Sequence, residues 1–306
     1  MKILYFLAHP NAIGGAMTVL MTQAYIMQRR GHKVRVVIQN NSEDSHIPEY
    51  DELCKQYQLE YRTSQYPIAT CIESIDIVGC MEVYENIRKI VMDYAPDLIH
   101  SIQLNTTLEL VARELSIPHL MNIYQISEGM FNLQWINVFP EYHSCDSEYY
   151  CRLWREGLGI KSRCIRTAYN KENIPVYETK ENESLYELIS IAVFSEHKRQ
   201  LEIIKFVEQC KLNGLGIHIN FVGSNACRYG EECRAYVEMH NLVEEVSFIG
   251  QVIDIERYLA RADLLVHAST VESYPVVIVM AMANKVPVLA TPVAGIPELL
   301  KDKNNF

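Results

Sequence analysis

The chain has 306 residues, 49% of them hydrophobic, 22% charged and 9% aromatic, a globular composition with room for two cores of roughly 150 residues each. Its 28 Lys and Arg against 38 Asp and Glu leave a formal charge of −10, which argues against non-specific nucleic-acid binding and against broad adhesion to an anionic membrane. No apolar stretch approaches the roughly 20 residues that span a bilayer, and the run from Ile3 to Ala8 is too short for a secretory h-region, so a cytoplasmic location is expected.

The nine cysteines contain no Cys-x-x-Cys. Cys145 and Cys151, like Cys227 and Cys233, are separated by five residues, a spacing that fits no zinc pattern well. They read as small buried apolar residues in a reducing compartment.

In chain order, Lys2 to Leu7 is a short apolar run of the kind buried on both faces of a parallel sheet. A loop with Asn11, Gly14 and Gly15 follows, and Met17 to Arg30 then carries apolar residues at helical spacing. Gly31 stops that helix and His32 to Ile38 reads as the second strand, completing a βαβ unit. Further helices are predicted over Met81 to Tyr94, Thr107 to Leu115 and Glu148 to Glu156, with strands over Asp97 to His100, Pro118 to Tyr124 and Arg163 to Thr167. The polar, Pro-containing stretch from Asn170 to Glu183 reads as a linker.

The same alternation then restarts. Strands are predicted over Leu188 to Phe194, Ile217 to Val222, Val246 to Ile249, Leu264 to His267 and Val286 to Ala290. Helices are predicted over His197 to Leu212, Glu231 to His240, Ile255 to Ala260 and Val276 to Ala283, with Ile296 to Leu300 opening another. The expected architecture is α/β: two Rossmann-like doubly wound parallel-sheet domains facing a cleft, residues 1–170 and 185–306, joined by 171–184. The second is expected to be truncated at its C-terminus.

Three places stand where such folds bind ligands. Gly14 and Gly15 lie where the first strand gives way to its helix, a position that suits an anion or equally a plain turn. No full Gly-x-Gly-x-x-Gly is present, which disfavours a dinucleotide. Lys198 lies just past the first strand of the second domain, near a helix start; it reads either as a partner for a diphosphate or as a solvated helix residue. Glu272 lies in Ser269-Thr-Val-Glu-Ser-Tyr-Pro275, between a buried strand and an apolar helix. There the carboxylate would accept hydrogen bonds from hydroxyls, while Ser273 and the backbone N–H groups of Val276 and Val277 would face an anion. The alternative is that Ser273 simply caps the helix.

These features, in order, resemble the retaining GT-B glycosyltransferases of family 4, the group 1 glycosyl transferases. The resemblance runs through Met1 to Leu7 with Gly14-Gly15, Arg30 to Val34, Pro96 to His100, Ser116 to Pro118, Ser195 to Lys198 and Phe248 to Gly250. Its most specific part is Ala262 to Pro275, followed by Ala281 to Ala283 and Val286 to Val288. The resemblance implies the GT-B fold and a nucleotide-diphosphate sugar held mainly by the second domain. It implies Lys198 on the diphosphate, Glu272 on the donor sugar, and Gly14 and Gly15 against phosphates or acceptor. No metal and no cofactor beyond the donor substrate are implied, because fixed positive charge and helix termini stabilise the departing diphosphate.

Three positions depart from the family pattern. Its second Glu falls at Met280, its diphosphate-binding Arg at Val193, and the strand end that often carries a catalytic His reads Asn122-Ile-Tyr-Gln125. Losing two charged hydrogen-bonding groups would remove about 3–6 kcal/mol of donor or transition-state stabilisation. Arg199 and His197 are nearby charged substitutes, although neighbours on a helix point about 100° apart.

The expected function is therefore sugar transfer from a nucleotide-diphosphate sugar to a glycan, lipid-linked or protein acceptor in cell-surface glycan or glycoconjugate synthesis. Nucleic acid is not an expected partner, and peripheral membrane association through a lipid acceptor is compatible with this reading. The alternatives are a degenerate, non-catalytic member that binds a sugar nucleotide or partners an active transferase, and a sugar-nucleotide epimerase of the same architecture.

Overall fold

The computed structural model describes residues 1–7, 15–39, 48–64, 77–103, 105–124, 140–167, 169, 177 and 185–300. The chain divides into two compact units, Met1–Thr167 and Ala168–Phe306. Of the predicted linker 171–184, only Tyr177 lies within the described residues.

The first unit runs β1 (Lys2–Leu7), α1 (Gly15–Arg29), β2 (Lys33–Gln39), α2 (Pro48–Gln56), β3 (Glu60–Ser64), α3 (Ile77–Tyr94), β4 (Leu98–Ile102), α4 (Thr106–Glu114), β5 (His119–Asn122), β6 (Tyr142–Cys145), α5 (Glu148–Leu158) and β7 (Arg163–Cys164). The seven strands pair in the order β3-β2-β1-β4-β5-β6-β7, all in parallel. Central β1 is buried over Ile3 to Leu7, as a strand covered by helices on both faces must be. Leu4, Phe6 and Ile99 on the strands pack against Ile87 and Val91 of α3 and Leu108 and Val111 of α4. Asn105 accepts from the Leu108 backbone N–H at 2.9 Å to start α4, and Ser147 performs the same role for α5.

The second unit runs β8 (Tyr186–Ile191), α6 (Gln200–Leu212), β9 (Ile217–Val222), α7 (Arg228–Met239), β10 (Val246–Gly250), α8 (Glu256–Leu259), β11 (Leu264–His267), α9 (Val276–Ala283), β12 (Val288–Ala290) and α10 (Ile296–Leu299). Its sheet order is β10-β9-β8-β11-β12, again parallel throughout. Alternate strand residues feed two separate cores. Leu188, Phe221 and Val266 pack with Ile203, Ile204 and Val207 of α6, whereas Ile189, Val222 and Leu265 pack with Ile278 and Ala281 of α9. Period-two alternation with apolar residues on both faces is what a doubly wound sheet demands.

Two local corrections bear on function. The predicted helix from His197 begins three residues later, at Gln200. A separate 3-10 turn over Glu196–Lys198 precedes it, ended by Arg199 at φ 54. Lys198 therefore closes a tight turn. Arg199 leaves the helical path altogether, so the 100° argument does not govern where its side chain points. The predicted strand end Phe194 lies beyond β8, which stops at Ile191.

Among the described residues, no helix is long and apolar enough to cross a membrane.

Candidate functional site

In the second sheet β8 is flanked by β9 on one side and β11 on the other. The connections that leave β8 and β11 run in opposite directions, to β9 and to β12, so the C-terminal ends of β8 and β11 border the topological switch point, where open α/β sheets bind ligands. Register places Leu188 beside Leu264 and Ile189 beside Leu265. The segments that follow the two strands, 192–199 and 268–275, are thereby brought together.

Hydrogen bonds fix that approach. The His197 carbonyl accepts from the Thr270 backbone N–H at 2.8 Å and from its hydroxyl at 3.2 Å, with the Ser269 hydroxyl at 3.3 Å. Gln200, buried at the start of α6, donates from Nε2 to the Val193 carbonyl at 3.1 Å. Below β11, the Thr291 backbone N–H donates to the His267 carbonyl at 3.1 Å, and its hydroxyl donates to the Ser269 carbonyl. Gly223, at the end of β9, has φ 140 and comes so close to β8 that a Cβ there would stand 2.1 Å from the Ala192 carbonyl oxygen. Only glycine permits this packing.

Within this frame Lys198 and Glu272 meet. The Lys198 ammonium donates to Glu272 Oε1, and the His267 imidazole donates from Nε2 to the same oxygen at 2.8 Å. Glu272 is 8% exposed and His267 4%. Burial by itself raises the Glu272 pKa, but the His267 hydrogen bond and the Lys198 charge outweigh it and bring the carboxyl down to about 2. Glu272 is therefore an ionised carboxylate at neutral pH, and its charge assigns the proton to His267 Nε2. For exposed His197, burial among its neighbours and then the Lys198 charge lower the pKa. It is a neutral group, and no replacement for a missing cation at neutral pH.

Helix α9 begins four residues after Glu272. Its N-cap position is Pro275, with no side-chain cap. Ser273, buried at 6% exposure, is consequently not the cap. The first-turn N–H groups of half-buried Val276 and Val277 have no intrahelical acceptor and carry the partial positive charge of the helix end.

The remaining sequence candidates are placed as follows. Gly14 lies outside the described residues. Gly15 is the exposed first residue of α1 in the first unit. Val193 is 45% exposed and Met280 is 6% exposed, the latter inside the apolar cluster of α9, β8 and β11. Arg199 is exposed and borders a surface cavity of about 380 Å³ together with Glu196, Glu202 and Tyr229. His267 was missed from the sequence, where it ends the apolar run Leu264 to His267 and reads as one more strand residue. A histidine closing a buried parallel strand five residues before an isolated acid was the available signal.

Residues 173–305 match the family model described as Glycosyl transferases group 1. No curated protein sequence matches the chain. Among solved structures, the chain is similar to Anabaena HepE in complex with UDP-glucose, at 19% identity and TM-score 0.76, over 98% of this chain and 82% of that one. It is similar to sucrose-phosphate synthase from Thermosynechococcus elongatus at 17% identity and TM-score 0.69, over 97% and 82%. It is also similar to UDP-GlcNAc 2-epimerase from Neisseria meningitidis bound to UDP-GlcNAc, at 13% identity and TM-score 0.62, over 98% and 85%. The chain has the GT-B-like α/β fold with two parallel sheets. Because that fold serves transferases and an epimerase alike, the fold alone does not choose the reaction.

Proposed function

We propose that the chain is a glycosyltransferase that takes a sugar from a nucleotide-diphosphate donor. The observation that carries this reading is the contact of Lys198 with Glu272 beside the open end of α9, at the switch point of the second sheet. A cation and a helix N-terminus suit a diphosphate, while a buried carboxylate held by His267 suits sugar hydroxyls. The match of residues 173–305 to the group 1 family supports the same assignment.

In this reading Lys198 and the Val276 and Val277 N–H groups hold the diphosphate. They stabilise the negative charge that grows on it as the glycosidic bond breaks. Glu272, released from Lys198 when the phosphates take up the ammonium, accepts hydrogen bonds from the donor sugar. His267 keeps its carboxylate in place. Supply of this charge by a side chain and a helix end underlies the proposal that transfer needs no metal. The retaining outcome, a hexosyl donor and a role in cell-surface glycan synthesis at the inner face of the membrane rest on the resemblance of Ala262 to Pro275 to family 4. The glycine pair, Gly14 and Gly15, is proposed on the same ground to face phosphates or acceptor.

Incubation with UDP-glucose and other nucleotide sugars, in the presence of candidate acceptors, tests the proposal. Free nucleoside diphosphate and a glycosylated product should form with wild type and not with Glu272→Gln. Undiminished turnover in Glu272→Gln would remove that residue from the mechanism.

Met280 and Val193 favour a second reading, a sugar-nucleotide-binding protein without transfer activity. Met280 faces the core, so no carboxylate stands there for ribose hydroxyls, and exposed Val193 supplies no charge to the diphosphate. Calorimetry separates the two: donor binding without transfer to any acceptor supports the second, and measurable transfer eliminates it.

A further inference from the structure

A group of potential ligands lies in the first unit. Strands β6 and β7 pair in parallel at the end of the first sheet, with Cys145 beside Cys164. Paired residues on neighbouring strands share a face. Helix α5 starts immediately after β6 and carries Glu148 and Cys151 one turn apart, on one side of the helix. The ligand atoms of Glu148, Cys151 and Cys164 all lie within 4.8 Å of one another. Cys145 borders them: its thiol accepts from the Ser162 hydroxyl at 3.2 Å. The same hydroxyl accepts from Cys151 Sγ at 3.5 Å.

We infer that Glu148, Cys151 and Cys164 form a binding site for a thiophilic divalent cation of the zinc class. Two thiolates and a carboxylate match the ligand preference of zinc or cobalt(II) and not that of magnesium or calcium, which take oxygen donors. Sulfur atoms bound to one zinc at ~2.3 Å sit roughly 3.8 Å apart in a tetrahedron, so the three groups need draw inward by only about 1 Å.

The charge also balances. Two thiolates, one carboxylate and a divalent cation sum to −1, and the charge of Arg166 beside Cys164 brings the group to neutrality. Bound metal would tie α5 to β7, which is only two residues long, and so secure the last strand of the sheet.

The test uses the whole chain, reduced and stripped of metal, titrated with cobalt(II) and then zinc(II). A single equivalent of cobalt should bind with sulfur-to-metal charge-transfer absorption, and zinc should displace it. Zinc should raise the thermal midpoint of wild type and leave Cys151→Ser/Cys164→Ser unchanged. That double variant should lose the absorption entirely. Glu148→Gln, at an exposed position that tolerates the change, should bind about tenfold or more weakly. Absence of a stoichiometric site overturns the assignment. So does a bound equivalent that survives in the double variant, or an affinity unchanged in Glu148→Gln.

Discussion

His267 donates from Nε2 to the Glu272 oxygen that Lys198 also holds. One carboxylate oxygen thus receives two hydrogen bonds from two different strand-end segments, one of them charged. The carboxylate is buried, so each donor offsets a desolvation penalty that neither covers alone.

Removing the ammonium should be felt in stability as well as in activity. Lys198→Met is expected to lower unfolding free energy by about 2–3 kcal/mol, since a buried carboxylate loses its counter-charge. Lys198→Met/Glu272→Gln should recover part of that loss, because the uncompensated charge is gone. Urea titrations of the four proteins close the cycle, and strict additivity would show that the pair is not coupled. The folded Glu272 pKa of about 2 lies below its ordinary 4.5, so its contribution is complete above pH 4.5 and fades as pH falls toward 2. Glu272→Gln should abolish that pH-dependent part.

His267 separates positioning from charge. His267→Phe removes the Nε2 donor, leaves Glu272 with Lys198 alone, and should cost about 1–3 kcal/mol. It should also reduce transfer at saturating donor. His267→Gln keeps an N–H donor and should restore most of both. Equal damage from Phe and Gln would mean that packing against the imidazole, and not its hydrogen bond, is what matters.

The first unit should be acid-sensitive through its buried histidines. Burial pushes His100 and His143 down to about 4 from 6.5; in His100 the Asn122 hydrogen bond opposes this and the neighbouring His119 adds to it. Both pack on aromatic rings, His100 against Tyr5 and His143 against Trp154. A folded pKa below the unfolded value means that the unfolded chain binds more protons. Stability is then complete above pH 6.5 and is lost as pH falls to 4, by about 2 kcal/mol per histidine near pH 5. Urea midpoints for wild type and His143→Phe between pH 7.5 and 5 check this; the variant should show a shallower decline.

Gly223→Ala should destabilise the second unit by about 2–4 kcal/mol, through a positive φ and a methyl group driven into the Ala192 carbonyl. Relief of that clash would displace the exit of β8, from which Val193 and Lys198 follow. Donor binding should weaken even in the folded fraction. Unaltered donor affinity would show that the 192–199 segment is insulated from β9.

Much of the fold was legible because many of its strands are short apolar runs and several of its helices, such as α1 before Gly31 and α5 before Gly159, end at glycine. Two strands that escaped the sequence lack those marks. β3, Glu-Tyr-Arg-Thr-Ser, lies at the sheet edge with a largely exposed pattern, so no apolar run betrays it. β6, Tyr-His-Ser-Cys, is mostly buried yet contains no aliphatic residue. Its His143 and Ser144 are held by an edge-on contact with Trp154 and a hydrogen bond to Asn122, partners that only the fold supplies. In the site, Lys198 and Glu272 were visible as charges beside strand ends. The left-handed turn at Arg199 was not, because a non-glycine residue gives no local sign that it will leave the helix.

On the function proposed above, the Lys198–Glu272 contact means that the second unit carries its own counterion where a donor would sit. A neutral monosaccharide offers nothing to detach the ammonium, whereas an anionic leaving group competes for it directly. Recognition should accordingly begin at the phosphate end, with the sugar end engaged only after the lysine has changed partners; nucleoside diphosphates would bind without sugar, and free sugars would not bind without them.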